Sequence, residues 1–171
     1  MHRLIASLAI LICTTSTALA RPLWSAELMS LDAVVQRFID DIEQKDMAGV
    51  VNVVPARIIN HYSGIMEMSP DQFRNLMVAQ MSETMRPVTI QFIKIELMGL
   101  DVTEAKTAVD EGVLFARLPY SMQMTLNGKE VQASSALIAL FEDNEWGLIR
   151  IEPNQITLLI EIYPFLKDVG L

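Results

Sequence analysis

His61 and Tyr62 are neighbours whose types could do chemistry together. An imidazole titrates near neutrality and can act as a general base, with the phenol beside it as a donor. The plainer alternative is a histidine near a helix end that bonds a carbonyl or faces water. Arg117 is a lone charge in the apolar stretch from Val113 to Tyr120. It would suit a carboxylate or other anion inside a concave sheet. A structural arginine would instead snorkel to an edge or pair with Glu96 or Asp110. Tyr120 and Met122 lie on the same expected strand, in the alternating run Leu114, Ala116, Leu118, Tyr120, Met122, Met124 and Leu126, and His61, Tyr62, Arg117, Tyr120 and Met122 form the candidate ligand-binding set. Met66-x-Met68 and Met122-x-Met124 invite a copper(I) reading, since thioethers suit soft metals. No cysteine or nearby histidine completes such a site, and methionine is a common filler of apolar space. Neither a metal nor another cofactor is therefore expected. Asp40 and Asp41 are adjacent and point apart on a helix. Asp41 stands four residues from both Arg37 and Lys45, which suits surface pairing rather than a carboxylate dyad.

Other chemistries lack their residues. The chain has no Gly-x-Ser-x-Gly elbow, no glycine-rich phosphate loop and no His-Glu-x-x-His. Its single cysteine, Cys13, lies in an N-terminal segment with the pattern of a secretory leader. His2-Arg3 precedes an apolar run from Leu4 to Cys13, and Ala18-Leu19-Ala20 then offers a small-x-small cleavage site. The expectation is a leader over residues 1–20 and one domain over 21–171, periplasmic or secreted after cleavage following Ala20. Losing Arg3 leaves 12 Lys+Arg against 21 Asp+Glu, a net charge of −9. Such a chain repels phosphate backbones, so no nucleic-acid partner is expected, and anionic membrane surfaces are disfavoured likewise.

The elements that must position these residues follow from periodicity. Ser30 reads as the cap of an amphipathic helix through Leu31, Val35, Phe38, Ile39 and Ile42. A short helix from Asp46 to Val54 stops at Pro55, and another turn or two from Ala56 ends at Ser63-Gly64. Ser69-Pro70-Asp71-Gln72 is a capping-box start, followed by Phe73, Leu76, Met77, Met81 and Met85 on one face up to Pro87. Alternation takes over at Val88, Ile90 and Phe92, then changes phase at Ile93, Ile95 and Leu97, the mark of a β-bulge. A polar turn covers Asp101 to Gly112. Strands from Leu114 to Leu126 and from Lys129 to Phe141 meet at Asn127-Gly128, a type I′ hairpin signal. Trp146 to Ile151 is the last strand, and Asn154 caps a final helix from Gln155 to Tyr163. The apolar tail Ile156–Leu166 is too short to cross a membrane, so no integral membrane segment is expected in the mature chain. That tail must be buried on its own sheet or on a second subunit.

Helices first and an antiparallel meander second make an α+β fold, with N-terminal helices on a bent sheet of about four strands. The long first helix, the Asp46-Met-Ala-Gly-Val-Val-Asn-Val-Val segment, the Ser69-Pro-Asp-Gln start and Glu145-Trp-Gly-Leu-Ile-Arg-Ile together resemble the nuclear transport factor 2-like superfamily. The likeness extends over nearly the whole mature chain and implies a cone with a pocket. It carries no catalytic residue across, because no stretch matches that group's tyrosine and carboxylate motifs. The leading expectation is an exported, non-catalytic protein that binds a small apolar ligand or a protein partner through the cone or sheet face. The alternatives are an isomerase- or hydratase-type enzyme with a general base in the cone, and a structural module that homodimerises through its sheet and Ile156–Leu166.

Overall fold

The computed structural model describes residues 20–105, 107, 109–110, 112–150 and 155–169. The expected leader lies outside them apart from Ala20, as do Ile151 and Asn154, the expected strand end and helix cap. The elements in chain order are β1 (Ala20–Pro22), α1 (Ser25–Gln44), α2 (Met47–Asn52), α3 (Ala56–Ile65) and α4 (Pro70–Met85). They continue with β2 (Val88–Ile95), β3 (Asp101–Glu104), β4 (Leu114–Leu126), β5 (Lys129–Glu142), β6 (Glu145–Arg150), α5 (Ile156–Ile162) and a 3-10 turn, Pro164–Asp168. This is an α+β architecture, with the first four helices packed on a bent antiparallel sheet.

Helix α1 begins at Ser25, five residues before the expected cap. The start is set from inside the helix: the Trp24 N–H donates to Glu27 Oε2 at 2.8 Å, satisfying one orphan donor of the first turn. Arg21 holds Glu27 in place with bonds of 2.8 and 2.7 Å. Ser30 lies a turn inside the helix and serves the core. Its hydroxyl donates to the Glu27 carbonyl at 2.9 Å and accepts from Trp146 Nε1 at 3.0 Å. Asp46 caps α2 by accepting from the N–H groups of Ala48 and Gly49, both at 3.1 Å. Helix α3 runs through Ser63-Gly64, where a stop was expected, and the chain reverses instead at Glu67, with φ +53°. The α4 box is as expected: the Gln72 N–H donates to Ser69 Oγ at 3.2 Å and the Ser69 N–H to Gln72 Oε1 at 2.8 Å.

The sheet has six strands, two more than expected. Strand β3 lies in the segment read as a turn, and β1 in the lead-in to the first helix. Both are short and mixed in polarity, so neither shows alternation; they are defined by pairing with each other, Ala20 opposite Thr103 and Pro22 opposite Asp101. Strand β4 is the spine. One edge pairs with β5 from Leu114↔Phe141 to Leu126↔Lys129. The other edge is shared by β3 at Leu114 and Phe115 and by β2 from Tyr120 to Leu126. Pro119 falls in the gap between those two partners. Its carbonyl accepts from the Glu96 N–H at 2.9 Å. Its nitrogen faces the same edge, where no ladder bond is asked of it, so a proline is tolerated in a central strand.

The expected bulge lies between Ile90 and Phe92. It turns Val88, Ile90, Ile93 and Ile95 to one face, and Phe92, expected in phase with Val88 and Ile90, is left 48% exposed on the other. The inner face of the sheet carries Leu118, Ala139, Trp146 and Leu148 against Leu31 and Val35 of α1. The outer face carries Ile138, Leu140 and Ile149, covered by Leu159, Ile162, Tyr163, Phe165 and Leu166 of the tail. The tail is thus buried on its own sheet, the first of the two expected arrangements. Among the described residues no helix is long and apolar enough to cross a membrane.

Candidate functional site

Four residues of α4, Phe73, Met77, Met81 and Met85, follow one another at intervals of four and so form a single stripe. A stripe of this kind normally seals a core. Here no residue of α4 is buried, and the stripe faces open space instead. The space is a cavity of about 710 Å³ between α4 and the inner half of the sheet. Helix α1 contributes Phe38 and Ile42, and α2 contributes Met47 and Val50. Ile58 and Tyr62 come from α3, and Val88, Ile90 and Ile93 from β2. Tyr120, Met122 and Met124 of β4 form the floor, Leu137 and Leu148 extend it, and Ile149, packed on the outer face, borders it as well. Six methionines, from α2, α4 and β4, therefore line one volume. Cavities that take small molecules occupy about 300–1,000 Å³ and are mostly apolar, with a few placed polar groups.

The polar groups lie mainly at one end. Arg150 and Gln155 stand there beside Leu158, and all three are exposed, so this end opens to solvent. The opposite end, formed by Met85, Val88, Ile90 and Met124, has only apolar side chains. Tyr62 stacks on Phe73 with ring centres 6.0 Å apart. Burial pushes its phenol above the ordinary tyrosine range, and the charge of Glu161 adds to the shift. It is therefore a protonated hydrogen-bond donor at neutral pH. Among the described residues the lining holds no imidazole and no carboxylate.

Of the expected ligand-binding set, Tyr62, Tyr120 and Met122 come together around this cavity. His61 does not join them. It meets Tyr62 edge-on at 5.4 Å, and its Nε2 is buried with no hydrogen-bond partner. Arg117 is exposed on the other face of β4, in register with Ile138. Neither expected partner takes it: Glu96 pairs with Lys94 at 2.5 Å and Asp110 with Arg57 at 2.7 Å. Arg117 was expected to suit an anion inside a concave sheet, but Ala116, Leu118 and Tyr120 hold the inner face. Met66 and Met68 lie just past the end of α3, and neither lines the cavity that Met122 and Met124 line. Lys45 reaches the Met85 carbonyl at 3.4 Å rather than Asp41. The Asp41 carboxylate is pressed against Gly49, whose Cα approaches so closely that an added Cβ would lie 2.3 Å from it.

A second group of polar residues sits on the outer face. Asp110, fully buried, accepts the ion pair from Arg57 and a 2.5 Å bond from the Thr107 hydroxyl. The Arg57 guanidinium lies 4.6 Å from the Tyr163 ring centre, and the Tyr163 hydroxyl donates to Glu142 Oε1 at 2.6 Å. Burial first, then the Glu142 bond, drives the Tyr163 phenol far above its usual range. This network ties α3, the segment before β4, the end of β5 and the tail together. It fastens the tail and leaves the cavity to the other face.

The methionine count pointed to an apolar pocket, but the α4 stripe and the Met122-x-Met124 pair read equally as core, so the sequence did not show where the volume lies. Comparison with models of known protein families, with curated proteins and with solved structures finds no match.

Proposed function

We propose that this chain is an exported, non-catalytic binding protein of the nuclear transport factor 2-like kind, whose cavity takes up a small apolar molecule. The single observation that carries the reading is the cavity of about 710 Å³ walled by α4 and by the inner face of β2 and β4. Protein interiors are close-packed, and voids of this size are few. A helix whose apolar stripe is only half-buried gains less from its place than a sealed one unless something fills the space beneath it. The polar groups of the lining favour binding over catalysis: two phenols, an amide and a guanidinium include no base at neutral pH.

The test is uptake of an apolar fluorophore, N-phenyl-1-naphthylamine, by the leaderless protein. One molecule bound per chain with micromolar or tighter affinity, lost on Met122→Trp, is the expected result. No fluorescence enhancement at saturating protein would overturn the reading. A turnover assay has its own place: loss of a detected activity on His61→Gln would favour the enzyme alternative.

A further inference from the structure

We infer that the cavity's ligand is a long-chain anionic lipid, lying with its hydrocarbon chain toward Met85 and Met124 and its head at Arg150 and Gln155. This rests on the cavity being a binding site and specifies what it binds.

The register gives the cavity its length. Arg150 is level with Leu137, and Leu137 with Leu118, six residues along β4 from Met124. At about 3.4 Å per residue along the strand and about 4.8 Å per strand across, the diagonal is roughly 23 Å. With bonds of about 1.5 Å at tetrahedral angles, each methylene advances about 1.25 Å, so this length takes a chain of up to about eighteen carbons. Spread over that length, about 710 Å³ is a mean cross-section of about 32 Å². One chain packed at the roughly 4 Å separation of carbon contacts needs on the order of 20 Å². The cavity therefore takes one chain with slack or two chain segments side by side.

The walls favour a flexible chain over a rigid ring system. Methionine is unbranched and adapts its shape to what it touches. A rigid polycycle with a polar group at each end would need a donor or acceptor at both ends of the cavity, and the Met85–Met124 end has none. At the open end, Arg150 is the only charged side chain of the lining among the described residues. Arg150 is already engaged within the chain. A guanidinium carries five N–H donors in a planar fork, a number that accommodates an internal contact and a carboxylate or phosphate oxygen together. The head need not be desolvated, because Arg150 and Gln155 are both exposed.

The experiment is displacement of N-phenyl-1-naphthylamine from the leaderless, delipidated protein by palmitate, octanoate, hexadecanol and cholesterol. Dipalmitoyl phosphatidylglycerol vesicles form a separate arm. Each methylene buried is worth about fourfold in affinity, so palmitate should bind at least a hundredfold more tightly than octanoate. It should also bind about tenfold more tightly than hexadecanol, and Arg150→Gln should erase that difference, read as the ratio of the two displacement constants referred to the variant's own probe Kd. Transfer of phosphatidylglycerol from the vesicles would identify a two-chain source of the same chemistry, and palmitate binding alone a single-chain source. Equal affinity for acid and alcohol, or cholesterol outcompeting palmitate, would overturn the inference while the probe still binds. Failure of the probe itself to bind would instead sink the cavity reading.

Discussion

Asp41 and Glu27 sit on the same helix and respond to acid in opposite senses. Burial raises the Asp41 pKa, the charges of Asp46 and Asp40 add to the rise, and Arg37 opposes it. The folded chain therefore holds that proton more tightly than the unfolded chain. Ionising Asp41 costs stability as pH rises through the ordinary aspartate range, and the cost is complete above the raised folded value. Asp41→Asn should raise Tm at pH 7 by about 1–3 °C, and the gain should vanish toward pH 3. The bond from Arg21 lowers the Glu27 pKa, against its burial. Its stabilisation is present above the ordinary glutamate value and is lost as pH falls through the lowered one. Glu27→Gln should cost about 0.5–1 kcal/mol at pH 7 and nothing in strong acid. Thermal melts across pH 3 to 7 check both, and parallel curves for variants and parent would refute the assignments. Gly147 tests packing rather than charge. A Cβ there would lie 2.6 Å from Pro55 Cγ, so Gly147→Ala should destabilise by about 1–3 kcal/mol through overpacking, measurable by urea unfolding.

Elements differ in how firmly they are held. The edge of β6 is closed by the α2–α3 connection, where the Leu148 N–H donates to the Val53 carbonyl at 2.8 Å. The tail is fastened by Arg57, Asp110, Tyr163 and Glu142. Arg57→Ala would leave the Asp110 carboxylate buried without its cation, at a cost of about 3 kcal/mol. Arg57→Met with Asp110→Leu should cost much less, and denaturant midpoints of the two variants should separate accordingly. Helix α4 has no comparable anchor. Its amides should exchange faster than those of residues 31–42, and a bound ligand should slow them selectively. Hydrogen exchange read by mass spectrometry gives both answers, and protection spread evenly over the chain would count against α4 as the movable wall.

The same contrast decides what the sequence disclosed. Signals confined to a few neighbouring residues are legible: Ser69 with Gln72, Asn127 with Gly128, and the phase change that announces a bulge in β2, though it falls after Phe92 in the sequence and before it in the structure. Features that depend on distant partners are not. Strand β1 exists through β3 across eighty residues of chain, β3 is held between β1 and β4, and α1 starts early because Glu27 reaches back to Trp24. Phe92 points away from the cavity because of the bulge, whereas the period-2 run through Leu118, Tyr120 and Met122 already left Arg117 out of phase.

Across the whole molecule the two faces of the sheet have different work. The outer face is filled by the chain's own tail, and the inner face is filled by α1 at one end and left open beneath α4 at the other. Filling that space should separate binding from stability. Met122→Trp should lower ligand affinity by more than tenfold while leaving Tm unchanged or higher, because it adds contacts where none existed. Calorimetry on the two proteins side by side checks this, and a large drop in Tm would mean that the space is smaller than it looks.

The methionine lining has one more consequence. Most of the interior is packed like a molecular crystal, with β-branched and aromatic side chains fixed in single rotamers. Thioethers at Met47, Met77, Met81, Met85, Met122 and Met124 have three rotatable bonds each and an open volume to turn in. The chain is thus a solid around a liquid patch, and the six methyl groups should give narrow, averaged NMR signals that broaden and disperse when the liquid freezes around a guest.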